Sequence, residues 1–240
     1  MRYLSVVFLL LFLSIGCATD KKALFRDVEN LAEKGSPEAQ YHVGMFYNNG
    51  IGTQKDTAKA LKWFERSASS GDPLGNYKLG CYYAGQGQGL VDIDNNKALE
   101  YKLVAAQEGY ALAQYDVASS YYKDGQMEEA VKWWKQSADQ GMPESFYALY
   151  ALYSEGKGVP RDAGLAYGYL KIIERNASKE QMAEIKDKLN KLENVLSVTE
   201  LSHAQEFARN WTPQKTPLTI KAQSGLEETK RLVKNASDNK

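Results

Sequence analysis

An all-α fold of stacked helical hairpins is what this sequence predicts, on three observations. Four segment ends, AEKG, ASSG, AQEG and ADQG, put glycines at Gly35, Gly71, Gly109 and Gly141. After each comes an apolar pattern with tyrosines at fixed offsets: Tyr41 and Tyr47, Tyr77 and Tyr83, Tyr115 and Tyr121, Tyr147 and Tyr153. Later in each unit a small residue (Ala60, Ala98, Ala130, Ala166) is followed three places on by an aromatic (Trp63, Tyr101, Trp133, Tyr169). A fixed period of a few tens of residues marks a solenoid, whose units bury their apolar faces only by stacking on one another. An extended surface of that kind suits binding rather than a catalytic pocket.

Residues 1–16 read as a leader. Arg2 supplies a minimal positive region, and Leu4 to Ile15 form an apolar run in which Ser5 and Ser14 are the polar residues. The run is shorter than the ~20 apolar residues that span a bilayer, and it has the length of a secretory hydrophobic region. Gly16-Cys17 closes it and resembles the bacterial lipobox, with Ser14 where Leu is usual and Leu13 one place farther off. That resemblance implies cleavage before Cys17, acylation of its thiol and a membrane tether, each buried methylene adding about 0.8 kcal/mol. Ala18 in place of an Asp after the cysteine points to the outer membrane. An ordinary cleaved leader with an incidental cysteine is the competing reading. The expected product is a lipid-anchored domain of the cell envelope facing the periplasm.

Residues 17–36 then hold the lipidated N-terminus and a lone capping helix near 22–34. In the first repeat Pro37 suits a first helical turn, and Ala39, Val43, Gly44 and Tyr47 share one face at spacings near 3.6. Asn49-Gly50-Ile51-Gly52 breaks this helix, because Asn and Gly tolerate positive φ. The second helix places Ala60, Trp63, Phe64 and Ala68 on one stripe and ends at Gly71 as a left-handed cap. Gly44, Gly80 and Ala118 keep the same place small in successive first helices, so the paired helix can come close. Asp56, Asp94 and Asp162 precede second helices, where a carboxylate favours the N-terminus.

At these positions the stretch AQYHVGMFYNNGIG…KALKWFERSASSG resembles the Sel1-like repeat, a relative of the tetratricopeptide repeat with a longer, more variable loop. The second unit, GNYKLGCYYAGQGQG…NKALEYKLVAAQEG, has a longer loop; the third, AQYDVASSYYKDGQMEEAVKWWKQSADQG, has a shortened one. The fourth, SFYALYALYSEGKGVPRDAGLAYGYL, puts Tyr150 at the small position and loses the terminal glycine, ending near Asn176. The resemblance implies a right-handed α-solenoid, with four Sel1-like repeats over 37–176, that binds other proteins without chemistry of its own.

Residues 177–212 carry two amphipathic helices. Ser178 with Gln181, and Ser197 with Glu200, have the spacing of capping boxes. Met182, Ile185, Leu189 and Leu192, then Leu201, Ala204, Ala208 and Trp211, follow at helical spacing. These helices are expected to close the open end of the stack; packing on a partner or a membrane is the alternative. Residues 213–240 are polar, with Pro213, Pro217 and Gly225, and are expected to form a flexible, mildly basic tail in which 226–234 has the pattern of a short helix.

Chemistry is hard to place on this chain. Lys and Arg number 30 and Asp and Glu number 30, a balance that argues against nucleic acid as a partner. His42 and His203 are the only histidines, with no metal-ligand spacing and no nucleophile elbow, so no cofactor, metal or enzymatic activity is expected. The glycine-rich 85–89 lacks the Lys-Ser/Thr of a phosphate loop and falls where the repeats place their inter-helix loop. Beyond Cys17 the one thiol is Cys81, which leaves no intramolecular disulfide and reads as a small buried side chain.

The variable positions of the first helices are the better candidates for function. In the implied solenoid they line the concave surface: His42, Met45 and Asn49, then Lys78, then Asp116, Ser119 and Lys123. Tyr82 and Tyr122 would serve there either as anchors for a partner or as stacking contacts between repeats. The expected function is a non-enzymatic adaptor lipoprotein that binds another protein in the bacterial envelope. The alternative is a periplasmic immunity protein that binds and inhibits a secreted phospholipase-type toxin.

Overall fold

The computed structural model describes residues 20–87 and 89–238, which are helical with no strand among them. The expected leader and Cys17 lie outside the described residues. Helix α1 spans 20–33. It is followed by α2 (Pro37–Asn49), α3 (Thr57–Ser69), α4 (Pro73–Cys81), α5 (Asn95–Gln107), α6 (Ala111–Lys123) and α7 (Met127–Asp139). Then come α8 (Pro143–Glu155), α9 (Ala163–Glu174), α10 (Lys179–Glu193), α11 (Val198–Asn210), α12 (Pro217–Ser224) and α13 (Leu226–Asp238). Two compact units can be distinguished: residues 20–108 together with 221–238, and residues 109–220.

The helix ends obey the local chemistry anticipated for them. Oδ1 of Asp56, Asp94 and Asp162 accepts from the backbone N–H of Lys59, Lys97 and Leu165 at 2.9, 3.0 and 2.8 Å. Each bond satisfies one of the donors that a helix leaves orphaned at its start. Ser178 and Ser197 form complete capping boxes with Gln181 and Glu200.

In the first unit α2 pairs with α3 and α4 with α5. Helix α1 joins this stack, because Phe25, Val28 and Ala32 share one core with Ala39, Val43, Phe46 and Trp63. The pairing depends on the small residue of α2: a Cβ on Gly44 would lie 2.5 Å from the ring of Phe64, which is fully buried. Helix α4 runs into a wider π turn at Tyr82–Gln86, with Gly85 at φ 101°.

In the second unit α6 pairs with α7 and α8 with α9, and both α10 and α11 lie on α9. Ile185, Leu189, Leu192, Ala204 and Ala208 are buried there, so the two amphipathic helices cover the last repeat as expected. Trp211 closes the end edge-on against Phe146, ring centroids 5.0 Å apart.

The tail departs from expectation. Most of 213–240, read from its polar composition as flexible, forms α12 and α13. Pro217 starts α12, where its missing N–H costs nothing. Leu226, Leu232 and Val233 turn one side of α13 onto the core of the first unit.

Candidate functional site

In the first unit the site is built on the face of α2 that points away from α3. Its residues include Glu38, His42, Met45 and Asn49, and α13 with the end of α12 lies over them. Thr229 Oγ1 is 3.0 Å from His42 Nδ1, and its hydroxyl also lies 3.3 Å from the carbonyl of Gly225. Lys221 Nζ pairs with Glu38 Oε2 at 2.8 Å. Thr229 is 1% exposed and His42 4%. The seating is imperfect. Glu38 Oε1 and His42 Nε2 face each other at 3.8 Å, and both are buried without a hydrogen-bond partner. Beside them a cavity of 220 Å³ remains between Met45, Phe46 and Ile51 on one side and Ala222, Gly225 and Leu226 on the other.

Charge makes this polar patch directional. Burial by itself would raise the Glu38 carboxyl, but His42 and Lys221 more than offset it and hold it at about 2. Asp72 goes the other way: burial raises it, opposed in part by the N–H of Gly75 and by Lys221. Threonine, histidine and glutamate together invite comparison with a nucleophile–base–acid trio. Here the Thr229 hydroxyl is sealed against α2, so no substrate reaches it while α13 is seated.

The second unit anchors its own stretch of tail by a different device. Helix α6 begins at Tyr110 without a side-chain cap of its own. Thr219 supplies one: its Oγ1 accepts from the N–H of Ala111 at 2.9 Å and lies 3.1 Å from the carbonyl of Gly109. Gln140 donates to that same carbonyl at 2.8 Å and accepts from the N–H of Thr216 at 3.0 Å. A separate open cleft of 570 Å³ lies where Arg161 and Leu165 of the α9 start face Leu196, Glu200, His203 and Phe207. Val195 and Val198 stand exposed at its α10–α11 turn.

The predicted site residues do not form one ladder open to solvent. His42 and Tyr82 are buried, a correction to their expected place on an open concave face. His42 is covered by α13. The Tyr82 ring packs on Phe64 at 5.7 Å and its hydroxyl donates to Asn48 Oδ1 at 3.2 Å, so its role is the stacking one. Met45 is half-buried at the cavity, Asn49 is exposed at the end of α2, and Lys78 is half-buried on α4. In the second unit Asp116, Ser119 and Tyr122 are half-buried and Lys123 is exposed. Ser119 donates to the carbonyl of Tyr115 at 2.9 Å, and Tyr122 packs on Trp134 with Lys157 Nζ 5.5 Å from its ring centre. Cys81 is buried as a small apolar side chain would be. Glu38, Thr219, Lys221 and Thr229 were missed. Of the contacts that join them to the repeats, only the four-residue spacing of Glu38 and His42 is local in sequence.

Comparison with known proteins places the repeats. The model of the family described as Sel1 repeat matches residues 37–72, 73–110, 111–142 and 145–172, which together exceed half of the chain. A putative sel1-like repeat-containing protein of Acanthamoeba polyphaga mimivirus is 34% identical over 52% of this chain and 22% of its own length. An ERAD-associated E3 ubiquitin-protein ligase component of Arabidopsis thaliana is 34% identical over 41% of this chain and 15% of its own length. The chain thus spans about a fifth or less of these curated relatives. Among solved structures, a Sel1 repeat protein from Oxalobacter formigenes superposes with a TM-score of 0.64 at 25% identity, covering 79% of either chain.

Proposed function

We propose that this chain, which belongs to the Sel1 repeat family, works as a non-enzymatic adaptor that binds another protein while tethered to a bacterial envelope membrane through a lipid on Cys17. The family fold is suited to protein–protein interaction. One observation supports a binding role most directly: the side of α2 turned from α3 already accommodates a polypeptide helix, the chain's own α13, using both apolar packing and side-chain polar contacts. The tether rests on the lipobox resemblance around Cys17, and the Ala at position 18 favours the outer membrane facing the periplasm.

Two measurements test this reading. Cells expressing the chain are labelled with a clickable palmitate: label on the wild type and none on Cys17→Ala is expected, and an unlabelled wild type overturns the tether. Crosslinked cells are then used for affinity capture with partners identified by mass spectrometry. Several envelope proteins are the expected result; one dominant lipase-like toxin would assign the immunity role instead, and no protein partner would overturn the adaptor.

A further inference from the structure

We infer that the α1–α2 face under α13 is a groove for an amphipathic helix of another protein, and that α13 is its resident, displaceable occupant. The inference rests on the protein-binding reading above and specifies where and what that partner binds.

The resident defines the ligand class. It is a helix, and it meets the groove with Leu226, Leu232 and Val233 against the shared core of α1, α2 and α3. Thr229 of α13 adds a polar contact with His42, and next to it Lys221 at the end of α12 pairs with Glu38. All three apolar residues stay only half-buried, so the interface is shallow. What the resident leaves undone defines a better ligand. The 220 Å³ space beside Ala222, Gly225 and Leu226 is unfilled, and dispersion contacts are forfeited there. Glu38 Oε1 and His42 Nε2 are buried with nothing bonded to them, although a buried polar atom is normally satisfied. A helix with a bulky apolar side chain where this chain has Gly225, and a polar group reaching Glu38 and His42, fits the groove more completely than α13 while Lys221 and Ala222 of α12 stay in place.

Release is also built in. Gly225 joins α12 to α13 at φ 53°, a conformation that L side chains rarely adopt, with open space around it. Straightening this one joint lifts α13 without disturbing α2. Because the resident is tethered, it competes at the high effective concentration of an intramolecular ligand. The apparent affinity for an outside helix is reduced by the fraction of chains in which the groove is open.

The probe is a synthetic peptide with the sequence of residues 225–238 carrying Gly225→Leu, added to the full chain and followed by fluorescence anisotropy. A Leu232→Glu/Val233→Glu variant, which lifts α13 and leaves the α2 face intact, is expected to bind the probe at least about tenfold more tightly than wild type. Adding His42→Ala to that variant is expected to undo the gain. Equal affinity for wild type and the lifted variant would overturn the proposal. Dimerisation of the lifted variant without probe would also overturn it, assigning the groove to a second copy of the chain. Amide hydrogen exchange on the unmutated protein keeps the test open if a variant unfolds: α13 is expected to exchange at least about tenfold faster than α2, and equal rates would overturn the proposal. Failure here leaves protein capture unaffected, whereas an empty capture with a working probe would sink only the adaptor reading.

Discussion

Thr229 Oγ1 lies 3.0 Å from Nδ1 of His42, a residue 187 positions earlier in the chain. The pair fastens the last helix to the first repeat, and it does so with groups that gain little once water can replace either of them. Thr229→Val leaves the buried imidazole with neither nitrogen bonded, which costs about 1–3 kcal/mol while α13 is seated. The expected readout is faster amide exchange in α13 with little change in α2, and Thr229→Ser is expected to restore the wild-type rates.

Thr219 caps a helix that has no cap of its own. Thr219→Val removes the acceptor for the buried N–H of Ala111, and about 1–3 kcal/mol of stability is expected to go with it. A urea titration of the full chain measures the loss. Thr219→Ser keeps the hydroxyl and is expected to retain most of the stability.

Gly44 is small because Phe64 occupies the space its Cβ would need. Gly44→Ala is therefore expected to destabilise by about 1–3 kcal/mol through overpacking, despite the better helix propensity of alanine. Combining it with Phe64→Leu is expected to recover part of that loss, and strictly additive effects in the double mutant would argue against the clash.

Glu38 gives the fold a pH dependence of definite sign. Its folded pKa, about 2, lies below the ordinary 4.5, so its stabilisation is complete above about 4.5 and is lost as pH falls toward 2. Asp72, raised by burial, opposes it: that group favours the fold at low pH, and the advantage is lost as pH rises through its folded pKa. Glu38→Gln isolates the first effect. Thermal unfolding between pH 2 and 6 is expected to show a shallower acid decline for the variant than for wild type.

The repeats were legible because their signals are local and recur. Asp56, Asp94 and Asp162 cap the helices they precede, and Ala60, Ala98, Ala130 and Ala166 are all buried where small residues were needed. The tail was illegible for the opposite reason. Its order depends on distant contacts, among them the hydroxyls of Thr219 on α6 and Thr229 on α2, whose partners lie 108 and 187 residues away. No periodic pattern announces such contacts, and a polar composition with two prolines and a glycine suggests flexibility. The burial of His42 follows from the same gap. Helical spacing placed it on the face turned from α3, but spacing alone does not reveal that another helix covers that face. For Tyr82 the sequence offered two roles and could not choose, since an aromatic beyond the repeat pattern packs equally well on a partner or on the neighbouring hairpin.

The most direct test of the α2 face as a polypeptide-binding site is photocrosslinking in living cells from an unnatural side chain at Met45, which lines the cavity under α13. The expected result is two products: an internal crosslink to residues 221–238 and an adduct with a second protein, whose share rises when Leu232→Glu/Val233→Glu lifts α13. An internal crosslink alone, unchanged by lifting α13, would contradict the account.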